Sequence, residues 1–325
     1  MRLKMVPSET KIDFFGISKL SIGLSTVLII GSIIAFFTMG LNFGIDFRGG
    51  SLLMVDTPEA VSVAEYRAVL NPLDLGDVSV TEITDPAAVL KNEVKHTILI
   101  RMEQQDGDPA VQNDLIKQVK TTLSEAFSGI KYLQTDSVGA KVSGELVQAG
   151  ILAIVLAVGA VLFYIWLRFE WQFSVGAVAA LLHDIILTIG IFCVTQIEFN
   201  LTIIAAILTI VGYSLNDTVV VFDRVRENLR RYKKKELAGV LNLSINETLS
   251  RTVMTSVTTL IALLALYFLG GDVIRGFTFA MIWGVIVGTY SSVFVASVIL
   301  LRLGVKRDWD KDNSAAGTQF ANIDA

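Results

Sequence analysis

Residues 201–222 read LTIIAAILTIVGYSLNDTVVVF, and this stretch decides the fold class. Its length and apolar character match a membrane-spanning helix, which needs ~20 mostly apolar residues. Inside the run sits Asp217, with Asn216 beside it. A charge at membrane depth costs at least ~2.5–3.5 kcal/mol on insertion scales, so such a residue marks a functional site and calls for a partner. Ser214 and Tyr213, at i−3 and i−4, share its helical face. One reading makes Asp217 a cap at a kink or a snorkelling acid, although aspartate is too short to snorkel far. The other makes it part of a proton or cation relay.

The whole chain agrees with a membrane setting. Of 325 residues, 53% are hydrophobic and 18% charged, with a mean hydropathy of +0.60; soluble domains run near ~25% charged. Six segments are predicted to span: 20–40, 146–167, 173–195, 200–222, 251–270 and 277–302. The first follows Lys11 and Lys19 like a signal peptide. Its apolar run exceeds the ~7–15 residues of a signal h-region and no A-x-A site follows, so it reads as an uncleaved helix. A single cysteine, Cys193, excludes an internal disulfide, and two histidines, His96 and His183, exclude a His-rich metal site. The sequence holds no CxxC, HExxH or P-loop. No cofactor, metal, nucleic-acid partner or enzymatic activity is therefore expected, and the energy source must be a gradient or a partner.

Basic residues set the predicted orientation. Arg2, Lys4, Lys11 and Lys19 lie in the N-terminal segment 1–19, and Arg168 follows the second span. The polar loop 223–250 carries Arg224, Arg226, Arg230, Arg231 and Lys233 to Lys235. Arg302, Lys306, Arg307 and Lys311 lie at the C-terminal end, which includes the tail 303–325. With six spans all of these fall on one side, and the short opposite loops hold only Arg275. Both termini are expected in the cytoplasm and residues 41–145 outside. The 223–250 stretch reads either as an amphipathic helix on anionic lipid or as a solvated loop.

The hydrophilic region alternates in a regular way. Residues 51–56 (SLLMVD), 78–84 (VSVTEIT), 96–102 (HTILIRM) and 132–142 read as strands. Helices are predicted at 61–70 and 111–127, the second with Leu115, Ile116, Val119 and Leu123 on one face. The order β-α-β-β-α-β is the ferredoxin-like pattern. The expected fold is thus a polytopic α-helical membrane protein with six transmembrane helices. One exported α+β domain lies between helices one and two, and residues 146–302 form a five-helix membrane domain.

Further candidates stand out by position. Glu247, Arg251, Thr255 and Thr258 form one stripe on the fifth span, and Arg251 is a candidate partner for Asp217 or an anchor to lipid phosphate. His183 and Asp184 sit mid-span in the third helix; the pair suits either a proton relay or neutral packing. Gly276, Ala280, Gly284, Gly288, Ser292 and Ala296 repeat every fourth position. That stripe serves close helix packing, static or sliding. Outside the first helix, GIDFRGG at 44–50 offers Gly44, Asp46, Arg48, Gly49 and Gly50. It reads as a hinge that clamps the outer domain to the membrane core, or as an ordinary turn.

GIDFRGG at 44–50, ALLHDIILTIG at 180–190, NDTVVVFDRVREN at 216–228 and SRTVMTS at 250–256 together resemble the SecF family of the bacterial SecDF protein-export complexes. The resemblance covers nearly the whole chain. It implies membership of the resistance–nodulation–division superfamily and pairing with SecD in a pseudo-symmetric twelve-helix unit. It further implies association with the SecYEG channel and YajC, and assistance to a translocating preprotein. The implied energy source is a proton or sodium gradient acting after SecA has started export. Asp217 and Arg251 match the family's ion path, with an aspartate from SecD, and the exported domain is implied to move. Three other readings compete: half of a small-molecule or lipid exporter, an intramembrane aspartyl protease, and a non-conducting scaffold. The protease would need Asp184 and Asp217 to face each other, neither lies in a GxGD setting, and Arg251 would oppose proton sharing.

Overall fold

The computed structural model describes residues 10–73, 75–76, 78–83, 96–104 and 109–305. The expected basic residues Arg2, Lys4, Lys306, Arg307 and Lys311, position 84 of the second predicted strand, and the tail beyond 305 lie outside them. The chain opens with helix α1 (Ser18–Thr38) and a single turn, α2 (Ile45–Arg48). A small domain follows: β1 (Gly50–Thr57), α3 (Val63–Leu70), β2 (Val78–Ile83), β3 (His96–Met102), α4 (Pro109–Ala126) and β4 (Lys131–Val138). Then come α5 (Ala140–Arg168), α6 (Trp171–Thr195), α7 (Leu201–Arg231), α8 (Leu237–Leu269) and α9 (Arg275–Ser291). A π-helical segment, Ser292–Ala296, joins α9 to α10 (Ser297–Leu303). Among the described residues, six helical stretches are long and apolar enough to cross a membrane, the last being α9 to α10 taken together.

The sheet is antiparallel throughout, in the order β2-β3-β1-β4. The central β1–β3 ladder runs from Ser51 opposite Met102 to Thr57 opposite His96. Alternation along β1 and β3 buries Leu53, Val55, Ile98, Ile100 and Met102 on one face. There they meet Tyr66 and Leu70 of α3 and Ile116, Val119 and Leu123 of α4. Ser62 starts α3 because its hydroxyl accepts from the Glu65 N–H while Glu65 reaches back, a reciprocal capping box.

The bundle differs from the expected spans at one end. The stretch 223–250, read as an amphipathic helix on lipid or as a solvated loop, is almost entirely helical and continues α7 and α8, with only 232–236 turning between them. At 31 residues, α7 is about 46 Å long, against ~30 Å of hydrocarbon. Charge therefore accumulates on helix that has already left the apolar layer. There it is partly neutralised: Arg168 bonds Asp223 at 2.9 Å, and Arg224 bonds Glu247 at 2.7 Å. Residues 12–14 strap onto this extension through Asn246 and Asn242, whose amides accept from the Ile12 and Phe14 N–H groups at 2.9 and 3.0 Å.

Helix α9 packs against α7 through its small residues. A Cβ on Gly284 would collide with three side-chain carbons of Ile210, and one on Gly288 would lie 3.0 Å from the Ser214 Cβ. Ala280 and Ser292 are fully buried, and Gly276 faces Ile203. Absent side chains on α9 leave the space that α7 side chains fill, so the two helices interlock. The outer faces of α1 and α5 remain apolar and open, with Leu20, Val27, Phe37, Leu152, Val155 and Trp166 among the exposed residues. Such faces suit lipid or another membrane chain.

Gly284→Val is expected to lower the unfolding midpoint in detergent, by an overpacking cost of roughly 1–3 kcal/mol. Ile210→Ala in the same chain should recover part of that loss. A double variant no more stable than Gly284→Val would show that the two positions are not in contact.

Candidate functional site

Helices α7 and α8 form an antiparallel hairpin around 232–236. Asp217 lies 14 residues before the end of α7 (231 − 217), and Arg251 lies 14 after the start of α8 (251 − 237). At 1.5 Å per residue both stand about 21 Å from the turn, at one depth. Asp217 is 3% exposed, and its Oδ2 is buried without a hydrogen-bond partner. Arg251 is exposed on the bundle's outer face. No ion pair joins the two among the described residues, so the expected direct pairing is not made here.

The neighbours of the pair divide by face. Thr252 and Ser256 point inward, and Ser256 shares a 2.7 Å hydrogen bond with Thr289 of α9. Asn216 and Thr258 are exposed, and Thr255, half-buried, donates to the Arg251 carbonyl at 3.0 Å. Glu247, expected in the same stripe, is drawn to Arg224 and to Asn228, whose amide donates to it at 2.6 Å. A cation and an amide are thus left on the outside of the bundle at membrane depth. Lipid does not solvate such groups, which face protein or water in membrane proteins.

His183 and Asp184 belong to a separate buried cluster. The Asp184 carboxylate accepts from Ser214 of α7 at 2.6 Å and from Ser291 of α9 at 2.8 Å. Its other oxygen lies 2.9 Å from His183 Nδ1. Among the described residues no three of His, Cys, Asp and Glu converge as metal ligands.

At the sheet-bearing end, residues 42–50 lock onto the link between α6 and α7. The Gly44 N–H donates to the Phe199 carbonyl at 2.9 Å, and the Phe199 N–H donates to the Asn42 carbonyl at 2.8 Å. Asp46 Oδ2 accepts the Leu201 N–H at 2.9 Å, satisfying an orphan donor at the start of α7. The rings of Phe43, Phe47 and Phe199 pack with centroids 5.8–6.0 Å apart. Gly49 and Gly50 have φ of +77° and +118°, and a Cβ on Gly50 would strike the Met102 carbonyl, so only glycine passes there. The clamp's cation differs from expectation. Arg48 closes its turn through its N–H to the Gly44 carbonyl, whereas Arg101 of β3 reaches Glu198 to form the ion pair. Burial pushes the Glu198 carboxyl up from its ordinary value despite Arg101, and Asp46 adds to the rise.

Sequence reading missed Asn42, Arg101, Gln196 and Glu198. Gln196 has φ of +53° at the end of α6, and its amide donates to the Gly40 carbonyl at 3.0 Å. A short polar QIEFN run between two apolar stretches, at 196–200, was the available signal.

Comparison with known proteins fits this geometry. The family model described as protein export membrane protein SecD/SecF, C-terminal, matches residues 118–306. The SecD/SecF GG motif matches residues 34–53. The chain belongs to the SecD/SecF family. The protein translocase subunit SecF of Cereibacter sphaeroides is 53% identical over 100% of this chain and 99% of its own length. That of Rickettsia bellii is 42% identical over 92% and 95%. The crystal structure of SecDF from Thermus thermophilus, a translocon-associated membrane protein, superposes with a TM-score of 0.81 at 31% identity. The match covers 93% of this chain and 40% of the SecDF chain, so the chain spans about two-fifths of that protein.

An open cleft beside Glu198, lined also by Asn200, Thr202 and Tyr267, gives that carboxyl access to water. A folded-state carboxyl raised above its unfolded value binds its proton more tightly when the clamp forms. The stabilisation is complete below the unfolded value and disappears as pH rises through the elevated one. The difference in thermal midpoint between wild type and Glu198→Gln should therefore move against the wild type as pH rises across that window. A difference moving the opposite way would overturn the sign.

Proposed function

We propose that this chain is one subunit of an ion-gradient-driven inner-membrane complex that assists the late steps of protein export. Its partner is a SecD subunit. The relatives named protein translocase subunit SecF support the role, as does the superposition on the SecDF structure. The observation that carries the reading is the buried, unpartnered Asp217 oxygen level with an outward-facing Arg251. The outward Arg251 and Asn216 give a SecD surface something polar to cover. The SecYEG channel, YajC and a preprotein are the further partners of this reading, and the chain performs no catalysis of its own.

In this reading both termini are cytoplasmic and the sheet domain is periplasmic. The clustered arginines and lysines at the opposite end of the bundle support that orientation. The domain is ferredoxin-like: the order β2-β3-β1-β4 with helices after β1 and β3 among the described residues supports it. An ion, either proton or sodium, binds Asp217 and removes the charge that Arg251 senses. Across ~100 mV each charge is worth ~2.3 kcal/mol, comparable to couplings of ~1–3 kcal/mol between distant sites. The clamp at residues 42–50 passes the resulting helix movement to the periplasmic domain.

The test is export of a model preprotein into inverted vesicles containing SecD, started with ATP. Completion is followed with the proton gradient present, collapsed, or replaced by sodium. Wild type should respond to one gradient. Asp217→Asn and Arg251→Met should assemble normally and lose that response. Variants that keep a wild-type response would sink the coupling role and leave a scaffold.

A further inference from the structure

Asp184 is not part of the Asp217–Arg251 pair, yet it is the more completely enclosed carboxylate, at 1% exposure. It stands 13 residues into α6 (184 − 171), about 20 Å along the helix. Charged, it ties three helices together, because Ser214 of α7 and Ser291 of α9 both donate to its Oδ2. Asp217 lies one turn beyond Ser214 on α7. Among the described residues, the titratable groups bonded to Asp184 or stacked on that partner are His183 on its own helix and Tyr290 on α9, while Arg251 of α8 faces outward.

Two features of this cluster go beyond packing. His183 is 2% exposed, and its Nε2 is buried with no hydrogen-bond partner. Its ring stacks on Tyr290 at 6.0 Å, and the Tyr290 hydroxyl donates to the Ser21 carbonyl of α1 at 2.7 Å. This Nε2 is one of several buried side-chain atoms without a partner among the described residues, and its ring lies directly beside the Asp184 carboxylate. The second feature is that Ser291 is the last residue before the π segment. A π turn holds one residue more than the α-helix around it and recurs at functional sites. Here its Ala296 carbonyl lies 3.0 Å from where a Gly176 Cβ would stand, and Ser297 donates to the Ser292 carbonyl at 3.1 Å. One residue of slack thus sits immediately beside the tie to Asp184.

We infer that Asp184 is a second proton-accepting carboxylate and a positioning residue of the coupled cycle, holding the register of α9 and α10 through Ser291. One proton, delivered by the gradient, adds to a carboxylate oxygen; no other bond forms. The neutral acid has one acceptor site fewer and one donor more, so Ser214 and Ser291 no longer share it on equal terms. Ser291 is released, the extra residue of the π turn is taken up, and α10 shifts and rotates relative to α9. The inference rests on the ion-coupled reading of Asp217, and its test is separable from that one.

The experiment uses the full chain reconstituted with SecD in proteoliposomes. An acidification step is followed by infrared difference spectroscopy of the protonated-carboxyl stretch. Spin labels at the exposed Ile286 and Leu303 bracket the π segment. Wild type should show a carboxyl band that Asp184→Asn removes and Asp217→Asn leaves. The label distance should shift on acidification, by at least the ~1.5 Å rise of one residue, and stay constant in Asp184→Asn. Ser291→Ala keeps the carboxylate and should move the band, which decides the matter should Asp184→Asn fail to assemble. A band unchanged in Asp184→Asn, a band unmoved in Ser291→Ala, or a wild-type distance independent of pH would each overturn the proposal. Failure of the ion-coupled reading would show instead as a gradient response persisting in Asp217→Asn.

Discussion

The organisation of this membrane domain follows from the cost of leaving a polar group unpaired where there is no water. Hydroxyls on the spanning helices are therefore spent locally or across contacts. Thr188, Thr209, Thr218 and Thr278 donate to carbonyls one turn back on their own helices. Ser214, Ser291, Ser256 and Thr289 bond between helices. Among the described residues a few buried side-chain atoms on the spanning helices stay without a partner, Ser174 Oγ, Thr252 Oγ1 and Trp283 Nε1 among them. Asp217 Oδ2 and His183 Nε2 belong to the same group and sit on side chains that can bind a proton.

Small residues make those contacts reachable. Gly288 brings α7 and α9 close enough for Ser214 and Ser291 to meet one carboxylate oxygen. Gly190 lets α1 lie against α6 at Ser32. In the membrane, where burial of apolar surface contributes little between helices, this close approach supplies dispersion and lets hydrogen bonds form. The same logic governs the clamp, where Gly44 meets Glu198 and Gly50 meets the backbone of β3.

Much of this was legible in the chain. The six apolar runs and the alternation of 51–56 and 96–102 depend on local pattern, and both elements formed where the pattern put them. Helix ends were less legible. Residues 223–231 and 237–250 are polar enough to read as loop, yet they continue α7 and α8 because Asn228, Ser244 and Glu247 bond across the hairpin. Arg48 was read with Asp46 as a clamp or as an ordinary turn, whereas the cation that reaches Glu198 is Arg101, 53 residues further along (101 − 48).

The sequence by itself determined that the chain is a six-span membrane protein with one hydrophilic domain and a small set of intramembrane ionisable residues. Hydrophobic length and charge are local properties, and they act on each helix before it meets another. Only the tertiary structure decided which of those residues satisfy one another. It joined Asp184 to two serines from other helices, left Asp217 and Arg251 level but apart, and placed a π turn beside Ser291. Hydrogen-bond partners depend on which faces meet and at what depth, and that is set by how glycines and branched side chains interlock across the bundle.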